Sequence, residues 1–144
     1  MAQIGKYPDT FYRVSLKALV RDEQGRVLVC KEGVETHWSL PGGGWDHGES
    51  EEECLKRELY EELGYEGSIT YKPLTTKIFH VPQLDAQILW IIYDVRLDHI
   101  VETIGEHTTA VAYIDPDEFK ASRMGTSLQA QAAIYQIARS QGNS

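Results

Sequence analysis

The sequence predicts a mixed α/β protein in which helices cover both faces of a mixed central sheet, an α/β/α sandwich. Two observations support this prediction. Strand-like runs rich in branched apolar residues recur along the chain, and helix-like segments interrupt them. The length of 144 residues and the 42% hydrophobic content suit one domain, which we predict to span residues 1–144.

The strands are predicted from apolar runs and from the turn residues that separate them. They lie at residues 11–20, 26–31, 67–80, 87–95 and 108–114, with a short strand at 38–40 that leads into a glycine turn. Residues 21–25 end in a glycine and are typical of a hairpin-type turn.

The first helix is predicted from its two ends. Ser50 is a good N-cap, and Glu53 lies three positions on, which together form a capping box. Gly64 suits the left-handed residue that closes a helix, so the helix spans about 51–63. An apolar stripe at four-residue spacing would pack this helix on the sheet: Leu55, Leu59 and Leu63.

Two more helices are predicted towards the end of the chain. Asp115 caps a short helix that has Pro116 at its first position. Residues 127–139 form a last helix, because their apolar residues recur on one side.

Three carboxylates share one side of the first helix. At about 100° per residue, Glu58, Glu61 and Glu62 lie within roughly 100° of one another. Like charges at this spacing repel, and a bound cation removes that cost. Oxygen ligands without histidine or cysteine favour Mg²⁺ (or Mn²⁺), so we predict such a site here. Acids of the first turn, at 51–53, are expected only to complement the helix dipole.

The stretch from Gly43 to Tyr65 has a regular spacing of glycine and charged residues. Five residues separate Gly43 from Glu49, and seven separate Glu49 from Arg57. The string RELYEELGY begins at Arg57 and ends at Tyr65. This stretch resembles the signature of the Nudix hydrolases, and the flanking order of strands and helices resembles that family more weakly. The last signature position is usually aliphatic, so we expect Tyr65 to be a packing variation.

The resemblance implies a role for each matching residue. The implied metal ligands are a loop carbonyl and three helix carboxylates: Gly43, Glu58, Glu61 and Glu62. One of these glutamates is expected to help activate the attacking water. Arg57 would orient the carboxylates through charge-assisted hydrogen bonds, and Glu49 would support the site.

Candidates outside the signature are less specific. Glu106 is the best candidate for the further acid that relatives often recruit from a loop, with Glu102 second. Lys31 and Arg13 are candidate substrate contacts for phosphate, and the alternative for each is an ordinary surface residue. Aromatic residues that could stack a nucleobase, or belong to the core, are Tyr12, Trp38, Trp90 and Tyr113.

The resemblance implies hydrolysis of the pyrophosphate bond in a nucleoside diphosphate linked to another group X. Nucleoside triphosphates, ADP-ribose and nucleotide sugars are substrates of this kind. The alternative is a non-catalytic sensor that binds a nucleotide; such domains usually lose signature glutamates, and this chain keeps them. A structural protein with a merely acidic helix is a third hypothesis.

Composition bounds the partners and the compartment. A net charge of −8 argues against nucleic-acid binding as the main activity, so we expect a small nucleotide-type substrate and no nucleic acid. No apolar run reaches membrane-spanning length and no signal-peptide core is visible, so we expect a cytoplasmic protein without a membrane partner. Cys30 and Cys54 are expected to be reduced packing residues. The resemblance also admits a homodimer.

Overall fold

The computed structural model describes residues 11–32, 38–82, 85–119 and 135–140. Within these ranges the elements are, in chain order, β1 (Tyr12–Leu19), β2 (Val27–Glu32), β3 (Gly42–Gly44), α1 (Glu51–Leu63), β4 (Ile69–Val81), β5 (Ala86–Leu97), β6 (Thr108–Ile114) and α2 (Pro116–Phe119). Residues 135–140 are also helical. The predicted strand at 38–40 is wrong in position: Ser39 makes only an isolated bridge with Cys30, and the short strand lies at Gly42–Gly44. The other predicted strands and helices overlap elements of the structure, and α1 has the bounds that its capping residues predicted.

The sheet around β1 is mixed. Its strand order is β3-β1-β5-β4, in which β1 and β5 are parallel while the β1–β3 and β4–β5 pairs are antiparallel. Strands β2 and β6 form a separate antiparallel pair. The prediction of a mixed α/β fold with a mixed central sheet is thus confirmed, with one pair of strands set apart from that sheet.

The turn between β1 and β2 is tight, but the two strands do not form a regular hairpin. The Asp22 N–H donates to Arg26 O at 3.0 Å, and Gly25 has φ +79°. Pairing ends at an isolated bridge between Arg21 and Val27. The strands then diverge because β2 pairs along its length with β6, while both edges of β1 are taken by β3 and β5.

The alternation of side chains along the strands divides the core into two clusters. On β1, Leu16 and Ala18 belong to the cluster that contains the leucine stripe of α1, whereas Leu19 belongs to the other. The second cluster contains Ile137 and Ala138 from residues 135–140. Helical residues therefore contact both core clusters. The rest of the predicted last helix, 127–134, lies outside the described residues.

The residues that follow α1 explain the unusual end of the signature. Tyr65 is buried, and its hydroxyl donates to Ser68 O and accepts from the Asp98 N–H at 2.9 Å. An aliphatic side chain could not make these hydrogen bonds. Tyr65 is thus the packing variation that the sequence predicted.

Two composition-based expectations can be compared with the structure. Cys30 and Cys54 are buried and form no disulfide, and burial raises the pKa of the Cys54 thiol to about 12. In the described ranges, no helix has the length and apolar character needed to cross a membrane. One domain over residues 1–144 stays a prediction.

The capping box of α1 yields a stability prediction. Ser50 Oγ accepts from the Glu53 N–H at 3.1 Å, and Glu53 Oε1 accepts from the Ser50 N–H at 3.2 Å. Ser50→Ala should destabilise the protein by about 1 kcal/mol, which lowers Tm by about 2–4 °C for a domain of this size. Ser50→Asp, which keeps an acceptor, should melt close to the parent in circular dichroism. Equal Tm values for Ser50→Ala and the parent would contradict this role for the cap.

Candidate active site

A cleft of about 560 Å³ lies where β1 and β3 meet α1. Alternation along β1 places Arg13, Ser15 and Lys17 in its lining, and α1 adds Glu58 and Glu61. Cationic groups from a strand and carboxylates from a helix therefore line one cleft, beside a run of three glycines.

Arg57 connects the acidic residues of the site to one another. Its Nε and Nη2 atoms donate to the two carboxylate oxygens of Glu49 at 2.7 and 2.9 Å. Nη1 donates to Glu58 Oε1 at 3.1 Å and to Glu61 Oε2 at 3.4 Å. Nη2 also donates to Gly44 O at 2.9 Å. One guanidinium thus joins two helix carboxylates to the run Gly42–Gly44, here called the glycine loop. Orientation of the carboxylates for a reaction stays a prediction.

Arg57 and Glu49 stabilise each other's charged forms. The side-chain hydrogen bond from Arg57 holds the pKa of Glu49 at about 2, well below its usual range. The same hydrogen bond raises the pKa of Arg57. The Asp46 N–H donates to Glu49 Oε1 at 3.0 Å, which further fixes the carboxylate. Both members therefore stay charged across the neutral pH range.

Glu62 is held by different groups. It is 1% exposed, and the Gly42 N–H donates to its two oxygens at 3.0 and 3.2 Å. The Cys30 thiol donates to Glu62 Oε2 at 3.2 Å. Gly42 has φ +127°, and an added Cβ would lie 2.0 Å from Leu16 O, so only glycine fits there. These hydrogen bonds offset the cost of burying the carboxylate.

The next two glycines let charged groups approach the backbone. A Cβ at Gly43 would lie 2.7 Å from Glu58 Oε1, and one at Gly44 would lie 2.6 Å from Arg13 Nη2. A side chain at either position would displace a carboxylate or a guanidinium. The glycine loop is therefore part of the site's geometry, and its pairing with β1 as strand β3 holds it there.

The donor atoms at this site suit a hard cation. Glu58 and Glu61 side chains are 11% and 36% exposed and face the cleft. Across the described ranges, no group of three or more His, Cys, Asp or Glu side chains is close enough to hold a metal ion. Mg²⁺ needs only one or two carboxylates where phosphates and waters complete its shell, so Glu58 and Glu61 fit it. Roles for Gly43 and Glu62 as ligands stay predictions.

The loop before β6 places His107, rather than Glu106, in the cleft. The Gly105 N–H donates to Glu62 O at 2.6 Å, and the His107 N–H donates to Glu61 O at 3.3 Å. These bonds dock the loop on the end of α1. Both residues are exposed, but His107 is part of the cleft lining and Glu106 is not. A metal-binding role for Glu106 stays a prediction.

The aromatic candidates differ in their contacts with lysine side chains and in their exposure. The Lys31 ammonium lies 4.5 Å from the centre of the Trp38 ring rather than in the cleft lining. The Lys17 ammonium lies 5.0 Å from the centre of the Trp90 ring. Tyr12 is 46% exposed. Substrate binding by Lys31 stays a prediction.

Sequence reasoning did not single out Lys17 or His107. Lys17 is 9% exposed in the middle of β1, and its ammonium donates to Leu40 O and Gly42 O. The sequence signal that could have identified Lys17 is a charged residue within the otherwise mostly apolar run SLKALV. No comparable signal marks His107, because only the docking of its loop on α1 brings it to the cleft.

The NUDIX domain profile matches residues 11–133. An RNA pyrophosphohydrolase of Ruthia magnifica subsp. Calyptogena magnifica is 33% identical over 89 residues, which are 62% of this chain and 44% of that protein. An RNA pyrophosphohydrolase of Shewanella denitrificans is 38% identical over 53 residues, 37% of this chain and 31% of that protein. The chain thus spans less than half the length of these curated relatives.

Solved structures show the same fold. The MutT protein from Methanosarcina mazei Go1 superposes with a TM-score of 0.76 at 18% identity, covering 94% of this chain and 99% of that one. The profile match covers most of the sequence and includes the glycine loop, α1 and the cleft strands. The chain therefore belongs to the NUDIX domain family.

Proposed function

We propose that this chain is a metal-dependent pyrophosphohydrolase that cleaves the anhydride bond of a nucleotide-type substrate. The observation that supports this most is the Arg57 network, which holds Glu58 and Glu61 beside the glycine loop in one cleft. Family membership and the names of the curated relatives support the reaction class.

The phosphate chain would lie in the cleft, against the glycine loop and the β1 side chains that line it. In the part of the chain that the structure describes, the Arg13 guanidinium has no carboxylate within 4.0 Å. It lies against Gly44 and lines the cleft. A guanidinium in this position can bind a phosphate through two parallel hydrogen bonds, which supports the predicted substrate role of Arg13.

Nudix hydrolases generally use divalent metal ions. Glu58 and Glu61, with the predicted ligands Gly43 and Glu62, would hold Mg²⁺ or Mn²⁺, whose chemistry is neutralisation of phosphate charge and activation of water. Arg57 restricts the rotation of both cleft carboxylates before substrate arrives. That restriction supplies the positioning on which phosphoryl transfer depends.

The substrate is a phosphorylated nucleotide end rather than a nucleic-acid backbone. A chain of net charge −8 gains little from a long run of phosphates. The curated relatives are named RNA pyrophosphohydrolases, and an RNA 5′ end can enter a cleft without further backbone contacts. A non-catalytic sensor is not favoured, because all the signature glutamates are present.

A substrate panel tests the proposal. It contains nucleoside triphosphates, ADP-ribose, nucleotide sugars, dinucleoside polyphosphates and a 5′-triphosphorylated oligoribonucleotide, each with Mg²⁺ or Mn²⁺. We expect turnover of at least one member, abolished by a chelator. Tight nucleotide binding without turnover of any member would instead support the sensor. Rates that rise with oligoribonucleotide length would refute recognition of the terminus alone.

The cleft carboxylates yield a mutational prediction. Glu58→Gln or Glu61→Gln should lower kcat on the order of 100-fold or more, because each removes a charge that holds the cation. Glu52→Gln is the matched control, since Glu52 is an exposed acid in the first turn of the same helix. Steady-state kinetics and circular dichroism of all three variants decide the question. Parent-level turnover in Glu58→Gln or Glu61→Gln would refute the site.

The Arg57–Glu49 pair yields a pH prediction. Because the folded pKa of Glu49 is about 2, below the ordinary 4.5, its charge contributes stability that is fully present above about pH 5. This contribution is lost as pH falls from 4.5 towards 2. In urea unfolding, the parent should be more stable than Glu49→Gln between pH 5 and 7, and the difference should shrink at pH 3. A difference that is the same at pH 7 and 3 would contradict the pairing.

A further inference from the structure

Lys17 is a buried cation that forms no ion pair with the described part of the chain. The residue is 9% exposed and lines the cleft from β1. Within the described ranges no carboxylate oxygen lies within 4.0 Å of its ammonium. Burying an ammonium without a carboxylate is costly, so a lysine at this position points to a function other than packing.

The hydrogen bonds of the ammonium all go to a single segment. Nζ donates to Leu40 O at 3.2 Å, to Gly42 O at 3.1 Å and, more weakly, to Ser39 Oγ at 3.5 Å. An ammonium has three N–H donors, and these three acceptors can use them all. Lys17 lies directly opposite Gly42 in the β1–β3 pair. The side chain therefore fastens the segment 39–42 to the strand that lines the cleft.

Gly42 transmits this restraint to α1. Its carbonyl accepts from Lys17 and its N–H donates to both oxygens of Glu62. With φ +127° and no room for a side chain, Gly42 has little freedom to move independently of these partners. A continuous set of hydrogen bonds thus runs from the Lys17 ammonium through one glycine to a signature glutamate.

We propose that Lys17 is a positioning residue, which holds the glycine loop so that the Gly42 amide fixes Glu62 for the reaction. The inference rests on the proposed function and adds a residue that lies outside the signature. A direct phosphate contact is the competing role for a cleft lysine. The geometry favours positioning, because the donors of Lys17 already point at loop oxygens and its ammonium lies 5.0 Å from the centre of the Trp90 ring.

Hydrogen exchange tests the restraint without any substrate. In Lys17→Met, the Gly42 amide should exchange at least about tenfold faster, while amides of β5 keep their parent rates, because only the local restraint is lost. Lys17→Arg, which keeps cationic donors, should restore part of the protection. Lys72→Met is the matched control, because Lys72 is an exposed lysine on β4. If Lys17→Met does not fold, Lys17→Gln applies the same test with a smaller expected increase.

Kinetics distinguish positioning from substrate contact. With the best substrate of the panel, Lys17→Met should lower kcat by about tenfold or more and change KM by less than about threefold, since small displacements of catalytic groups are expensive. A raised KM with unchanged kcat and unchanged Gly42 exchange would overturn the proposal in favour of a substrate contact. Faster exchange throughout β1 and β5 would overturn it in favour of general stability. A parent without turnover would refute the proposed function, while Gly42 exchange would still decide the role of Lys17.

Discussion

The site depends on one guanidinium that lies among several carboxylates. Arg57 lies within 3.5 Å of oxygens from four acidic residues, two between β3 and α1 and two on α1: Asp46, Glu49, Glu58 and Glu61. Carboxylates so close together repel unless a cation lies among them. Arg57 supplies that charge within the fold, and its planar fork sets the direction of each carboxylate. This contact therefore helps to fix the glycine loop relative to the helix.

The glycine loop is the second constraint, and it is held from both sides. Arg57 donates to Gly44 O from the helix side, and Lys17 donates to Gly42 O from the strand side. Charged groups come this close because no side chain is present at positions 42–44. Three glycines in a strand would ordinarily weaken it. Here the two cationic side chains replace the packing that side chains on β3 would provide.

Sequence reasoning predicted what local chemistry determines. The bounds of α1 follow from Ser50 and Gly64, and the shared side of its glutamates follows from helical spacing. The separate β2–β6 pair and the place of His107 were not predictable, because they depend on contacts between distant segments. The hydrogen bond from Lys17 to Gly42 spans 25 positions, so no window of neighbouring residues reports it. Sequence patterns thus predict the candidate site residues better than they predict the distant contacts that hold those residues in place.

Local charge explains how an acidic protein can bind a polyanion. The described cleft lining contains Arg13 and Lys17 as well as Glu58 and Glu61, so the formal charges of these four groups cancel, although the whole chain carries −8. A divalent cation at the carboxylates would make this lining positive, while the rest of the chain would stay acidic. On the proposed function, the cation is therefore needed for substrate affinity as well as for chemistry. A steep dependence of nucleotide binding on the divalent ion follows from this charge balance, whereas the net charge of the chain alone would predict repulsion.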